Sequence, residues 1–416
     1  MALVVHDPAA LRNTLLLAGL HYSWNIGQLA WYEPTLLAAK IDAIRSIDDW
    51  IKGAKQSAFA DSVRQVATLA IVECCAGSLA RAESHLDGLV TILEAGESSG
   101  LWESTLDKEL VDRYFILVCN FIHGFKARVG EIASNDEIYK QDSSSSEEEK
   151  VGSRMHEHHI RELDGLETRL KAFRLFPHFF APPRPSTVIK DIEIEPFLMC
   201  LDNITRMEQR RRAASRTGEW DAVWNTLWME GGPTRLFHAF VDSHVRSFSP
   251  EPASSPSIRS APGVPSLQSS WLGVTAASGM YLNGVLDLFN GGEATGGKVL
   301  VQVLRILTLD INATRPLTEK QARGRAGDLW LWKIMTGAFA MQKQMLNAEY
   351  CMDDGTMVLA RMWLRLAEGM QYWGRLCGVS TWEGAKQALQ RIVWLDEEKP
   401  DKTGRQIWGG SANRGW

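Results

Sequence analysis

The 416-residue chain is missing several features at once. It has no run of about 18 uncharged apolar residues, which a membrane-spanning helix would need. Its first residues lack a basic n-region, so no secretory leader is read there. Its six cysteines are Cys74, Cys75, Cys119, Cys200, Cys351 and Cys377, and none stands in a C-x-x-C pair. That removes the usual spacing of a thiolate zinc site. The cysteines sit mostly in helix-like apolar stretches and read as buried, reduced thiols of an intracellular protein. A net charge of −5 leaves no global basic field for nucleic acid or an anionic membrane. Without a leader, the glycosylation sequons at Asn203 and Asn312 read as chance matches.

Helical periodicity fills most of what remains. His6-Asp7-Pro8 reads as a helix start, with Asp7 as cap and Pro8 at the first helical position. The residues that follow are apolar on nearly every face: Leu11, Leu15, Leu16, Leu17, Leu20, Tyr22 and Trp24. Such a helix is expected to be buried on several sides. In "PTLLAAKIDAIRSIDDWIK", Leu37, Ile41, Ile44, Ile47 and Ile51 mark an apolar stripe. Two further helices are expected to form an αα-hairpin, with Gly77 ending the first, Ser78 capping the second and Gly96 ending that one. The stripe Ala82, His85, Leu86 and Leu89 is expected to face the interior, with His85 a satisfied core histidine. More helices are expected near 105–129, 157–176, 196–213, 219–230, 234–247, 267–289, 298–311, 318–349, 356–377 and 380–395. The last opens on Ser380 and Glu383, a capping-box pattern. No set of alternating strands is found.

Three breaks interrupt the helices. "NDEIYKQDSSSSEEEKVGS" is acidic and polar, "APPRPST" is a rigid connector, and "SPEPASSPSIRSAPGVPSLQSS" is rich in Ser and Pro. The expected organisation is one helical domain over residues 1–396, with disordered insertions near 133–156 and 247–268. A polar tail is expected over 397–416. The fold class is all-α, an irregular array built from αα-hairpins with long disordered loops.

No motif here compels catalysis. Gly292, Gly297 and Lys298 in "GGEATGGK" have the phosphate-loop spacing, but Val299 stands where a hydroxyl should hold magnesium, and no sheet presents the loop. His156, His158 and His159 cluster without the second histidine that a zincin helix needs. Asp353 and Asp354 suggest the aspartates of an all-α, metal-dependent enzyme of terpene-synthase type. The further carboxylate two or three residues on is missing, and the pair also reads as a helix-start turn. Arg206, Arg210, Arg211, Arg212 and Arg216 read either as a nuclear-import patch or as a solvated helix end. Ser144, Ser145 and Ser146 each precede a Glu by three residues, a pattern that suits acid-directed kinases. Tryptophan is abundant, with 16 residues. Trp330, Trp332, Trp363 and Trp373 are candidates for a ligand cleft, against a plain aromatic core.

The order of these features resembles the fungal-specific transcription factor domain, the helical regulatory region of fungal zinc-cluster regulators. The residues that carry the resemblance are Asp7-Pro8 with Leu11, His21-Tyr22, Glu73-Cys74, and Ala82-x-x-His85-Leu86-x-Gly88-Leu89. Far downstream, Leu329, Trp330 and Trp332 in "GRAGDLWLWKIMTGAFA" look like the family's aromatic late helix. The resemblance covers roughly residues 7–395 and is weak across the three breaks.

It implies a non-catalytic regulatory domain that acts through protein contacts, with a small effector as a further means and no cofactor. The six-cysteine cluster that reads DNA in this family is absent, so direct sequence-specific DNA binding is not expected. The expected partners are other transcription regulators or a full-length paralogue, as homo- or heterodimer, with no membrane. The expected location is the nucleus, otherwise the cytoplasm. The core-like first helix fits a chain that starts inside such a domain. The alternatives are the aspartate-dependent enzyme and a helical scaffold.

Overall fold

The structure is a computed structural model. It describes residues 8–25, 33–52, 58–100, 104–135, 165–180, 187–217, 231–248, 267–347 and 354–412. Helix takes 84% of it and strand 1%, so the all-α expectation holds. In chain order the helices are α1 (Pro8–Asn25), α2 (Glu33–Ile51), α3 (Ala58–Cys75), α4 (Leu79–Ser99), α5 (Thr105–Asn135), α6 (Gly165–Phe179), α7 (Glu195–Thr217), α8 (Gly232–Ser247), α9 (Trp271–Met280), α10 (Gly297–Ala313), α11 (Glu319–Ala322), α12 (Arg325–Asn347), α13 (Asp354–Cys377), α14 (Trp382–Gln390) and α15 (Glu398–Ala412). Two short strands, β1 (Ile192–Glu193) and β2 (Gln268–Ser269), pair antiparallel with Ile192 opposite Ser269.

Where the sequence suggests a single array, the backbone contacts divide the chain into two compact units, each assembled from separated segments. Unit one comprises Met1–Pro183, Met229–Asp242 and Leu288–Gly292; unit two holds the rest. Unit one is organised around α3, which packs against α2, α4, α5 and α1. From Val63 to Cys75 almost every α3 side chain is buried, polar ones included. The αα-hairpin forms as expected, and Gly77 takes a positive φ of 94°; Ser78 occupies the α4 N-cap position, but its side chain makes no capping hydrogen bond. Gly96 does not end α4. The helix continues to Ser99, and left-handed Gly100 closes it. Gly96 lies instead against the Phe59 ring, where a side chain would collide, so packing rather than a turn requires it. An aromatic group of Tyr114, Phe176, Phe179, Phe180 and Phe237 fills the space beside α5 and α6.

Unit two is organised around α12, buried without a break from Leu329 to Met341 and flanked by α9, α10, α13, α14 and α15. The expected helix at 318–349 is two helices. Thr318 and Gln321 form a capping box on the short α11, and α12 begins at Arg325. The expected cap at Ser380 moves one residue: Thr381 accepts from the Gly384 amide, and α14 ends at Gln390. The region read as a polar tail contains α15, held by buried Ile407 and Trp408, with the Trp408 indole donating to the Ser380 carbonyl at 3.2 Å. Its polar and Gly-rich composition hid two anchors that only packing reveals. The expected helix at 219–230 and both long insertions, apart from their edges, lie outside the described residues.

Candidate functional site

Glu73 of α3 is fully buried. Its carboxylate is in ion contact with Lys40 of α2, lies 3.9 Å from Arg81, and is 4.0 Å from His85 Nε2 on α4. A buried carboxylate needs a charge partner, because desolvation without one costs several kcal/mol. Lys40 meets that need and thereby sets the rotation of α2. The inward face of α2 is Leu36, Lys40, Ala43 and Ile47, spaced at helical intervals. Of the apolar stripe, Leu37, Ile41 and Ile44 are exposed, Ile44 by 66%, while Ile47 is half-buried at the edge of the inward face. Helix α1 behaves similarly, burying Leu16, Leu17 and Leu20 while Leu11, Leu15 and Tyr22 are exposed, Leu15 by 62%. It is therefore not buried on all sides. Arg12 of α1 pairs with Asp42 of α2 at 3.2 Å, which ties the two helices together. The result is a row of exposed apolar side chains on each of α1 and α2, with Lys40 holding α2 to Glu73.

His85 is half-buried rather than a core histidine, although Ala82, Leu86 and Leu89 of its stripe are buried as expected. Burial pushes its pKa down; Glu73 opposes this and Lys40 adds to it. Elsewhere in unit one Cys119 Sγ lies 3.6 Å from His123 Nδ1, a Cys–His spacing that sequence inspection missed. Burial pushes this thiol up to about 12, so a thiolate nucleophile is not supported.

In unit two, Lys333 is buried on α12. Its Nζ donates to Asp310 Oδ2 at 2.6 Å and to Ser269 Oγ at 2.7 Å. Ser270 donates to the other Asp310 oxygen and accepts from the Gly273 amide at 3.0 Å, so it also caps α9. A π-helical turn follows at Tyr281–Val285, and Asp287 takes a left-handed φ of 57°. Lys343 satisfies this irregular backbone, donating to the Asn283 carbonyl at 3.1 Å and to Asp287 Oδ1 at 2.6 Å. These polar groups are consumed by one another.

The remaining motifs of the sequence fall into place as follows. No strand presents the Gly292, Gly297, Lys298 segment; Gly296 caps α10 and Lys298 is exposed. Arg212 is committed to Glu208, Glu397 and the Leu286 carbonyl; Arg211 pairs with Glu208, and Arg206 pairs with Asp202. Arg210 is exposed, and the side chain of Arg216 is outside the described residues. So are Asp353, the side chain of Asp354, the three histidines at 156–159, and Ser144, Ser145 and Ser146. Trp330, Trp332 and Trp373 are buried core, with indole donors of Trp330 and Trp332 on the Ile311 and Val393 carbonyls; Trp363 is half-buried. Among the described residues no three His, Cys, Asp or Glu converge as metal ligands. No helix of the described residues is long and apolar enough to cross a membrane.

Comparison of the chain with known protein families, with curated proteins and with solved structures returned no match.

Proposed function

We propose that the chain is a non-catalytic, transcription-factor-like regulatory domain that acts through protein contacts. The observation that supports this reading is the outward apolar surface of α1 and α2, with Leu11, Leu15, Tyr22, Leu37, Ile41 and Ile44 uncovered. Contiguous exposed apolar side chains at helical spacing mark interaction surfaces. The resemblance in residue order supplies the transcriptional context, and another regulator or a paralogue is the partner this reading names.

Magnitudes limit the strength of such a contact. Covering six half-exposed side chains gains on the order of 6 kcal/mol. Association costs about 4–15 kcal/mol. The surface alone therefore contributes at most about 2 kcal/mol net, so a regulatory complex draws on further contacts beside it.

The test is to fuse the chain to an unrelated DNA-binding module and measure a reporter gene. The expected result is a several-fold change in output over the module alone, lost when Leu37, Ile41 and Ile44 are changed to Gln. Equal output from the fusion and the bare module overturns the reading, and full output from the triple variant removes α2 from it.

A further inference from the structure

The outward face of α13 gathers cations. Arg361, Arg365 and Arg375 are all exposed. At 100° per residue they fall within about 80° of arc, along about 21 Å of helix. Many other arginines are paired: Arg64, Arg113, Arg206, Arg211, Arg212, Arg325, Arg391 and Arg405 each meet a carboxylate. Among the described residues the three on α13 meet none. Of the side chains described on this face, the one carboxylate is Glu368. A fourth cation adjoins the row, because the Arg315 guanidinium stacks 3.6 Å over the Tyr372 ring. The Tyr372 hydroxyl donates to the Pro316 carbonyl at 2.7 Å, which holds that ring in place.

Apolar side chains lie among these charges. Met357 is 59% exposed and Leu364 46%; Met357 falls at the edge of the arc of the arginines and Leu364 about 20° beyond it. The face thus alternates unpaired cations with uncovered hydrophobes.

We propose that this face binds an acidic amphipathic segment of a protein partner, in which Asp and Glu alternate with Leu, Met or aromatic residues. Charge complementarity selects the acidic part, since the guanidinium fork pairs with carboxylates two oxygens at a time. Leu364 and Met357 select the apolar part. A nucleic acid would match the arginines and leave both hydrophobes wet. A lipid surface needs a larger apolar face than two side chains. The inference goes beyond the reading above, because it concerns a different surface and requires no transcriptional role.

The test uses the full chain and a fluorescein-labelled synthetic peptide with Leu and Phe between its Asp and Glu residues, read by anisotropy. The expected result is binding at about 50 mM salt that weakens steeply by about 300 mM. Changing Arg361, Arg365 and Arg375 to Gln weakens it by about tenfold or more. Changing the same three to Lys keeps the charge but not the fork, and is expected to bind more tightly than the Gln variant and less tightly than wild type, which separates charge from misfolding. Leu364→Gln weakens the peptide and leaves unadorned polyglutamate unaffected.

Three results overturn the proposal. One is equal affinity of the wild-type chain and the Gln variant. Another is tighter binding of a DNA duplex or a phosphatidylserine vesicle than of the peptide through the same arginines. The third is no anisotropy change at the lower salt.

Discussion

Lys333 and Asp310 form an ion pair of 2.6 Å with their side chains only 2% and 5% exposed. The pair also holds Ser269 of β2 and, through Ser270, the first turn of α9. Removing one partner leaves the other charged and dry. Lys333→Met is expected to cost about 3–5 kcal/mol. Adding Asp310→Leu is expected to cost less than the sum of the two single changes. Urea unfolding of the four proteins checks this, and strict additivity would show that the two groups do not depend on each other.

Gly284 lies in the π-helical turn against the backbone of α12. A Cβ there would stand 2.7 Å from the Ala340 nitrogen. Main chain cannot rotate away as a side chain can. Gly284→Ala is expected to destabilise by about 3 kcal/mol through forced separation of the two elements. Gly88→Ala, where a Cβ meets open space, is the control and is expected to be neutral or slightly stabilising. Similar melting temperatures for the two variants would contradict the close approach.

His85 has a pKa lowered by burial, so the unfolded chain binds its proton more readily than the folded one. The stability it contributes is present above about pH 6.5 and is lost as pH falls below that value. Glu73 and Lys40 face it, and Lys40 on the same carboxylate keeps the depression in place. His85→Gln is expected to flatten the acid side of the stability profile between about pH 5 and 6.5. A steeper acid loss in the variant would reverse the sign argued here.

The Cys119 thiol is pushed up to about 12 by burial. An unfolded cysteine ionises near pH 8.5, so the folded state keeps a proton that the unfolded state releases. Stability should fall as pH rises from about 9 towards 12, by about 1.4 kcal/mol per unit from this group. Cys119→Ala should remove that share of the slope. Thiol alkylation gives a second check: half-exposed Cys200 and Cys377 are expected to react well before Cys119. Early labelling of Cys119 would show that its surroundings open.

Periodicity was sufficient to read the helical class, the α3–α4 hairpin and the placement of most helices, because 3.6-residue spacing is a local property of the chain. Glycine had two roles that sequence cannot separate. Gly77 ends a helix, whereas Gly96 sits inside one because Phe59 needs the space. The face each helix buries was not local either. On helix α2, Leu37, Ile41 and Ile44 face outward while Leu36, Ala43 and Lys40 face inward, where Lys40 meets Glu73 from far along the chain. Helix α15 followed the same logic in reverse: two buried side chains outweighed a polar composition. The candidate surfaces were illegible for the same reason. Leu37, Ile41 and Ile44 resembled core until a buried charge on another helix fixed the rotation. The α13 arginines gave no signal until packing showed which arginines had found carboxylates. The sequence by itself determined where helices form. The tertiary structure decided which side of each meets water, because that depends on charges and volumes brought together from distant positions.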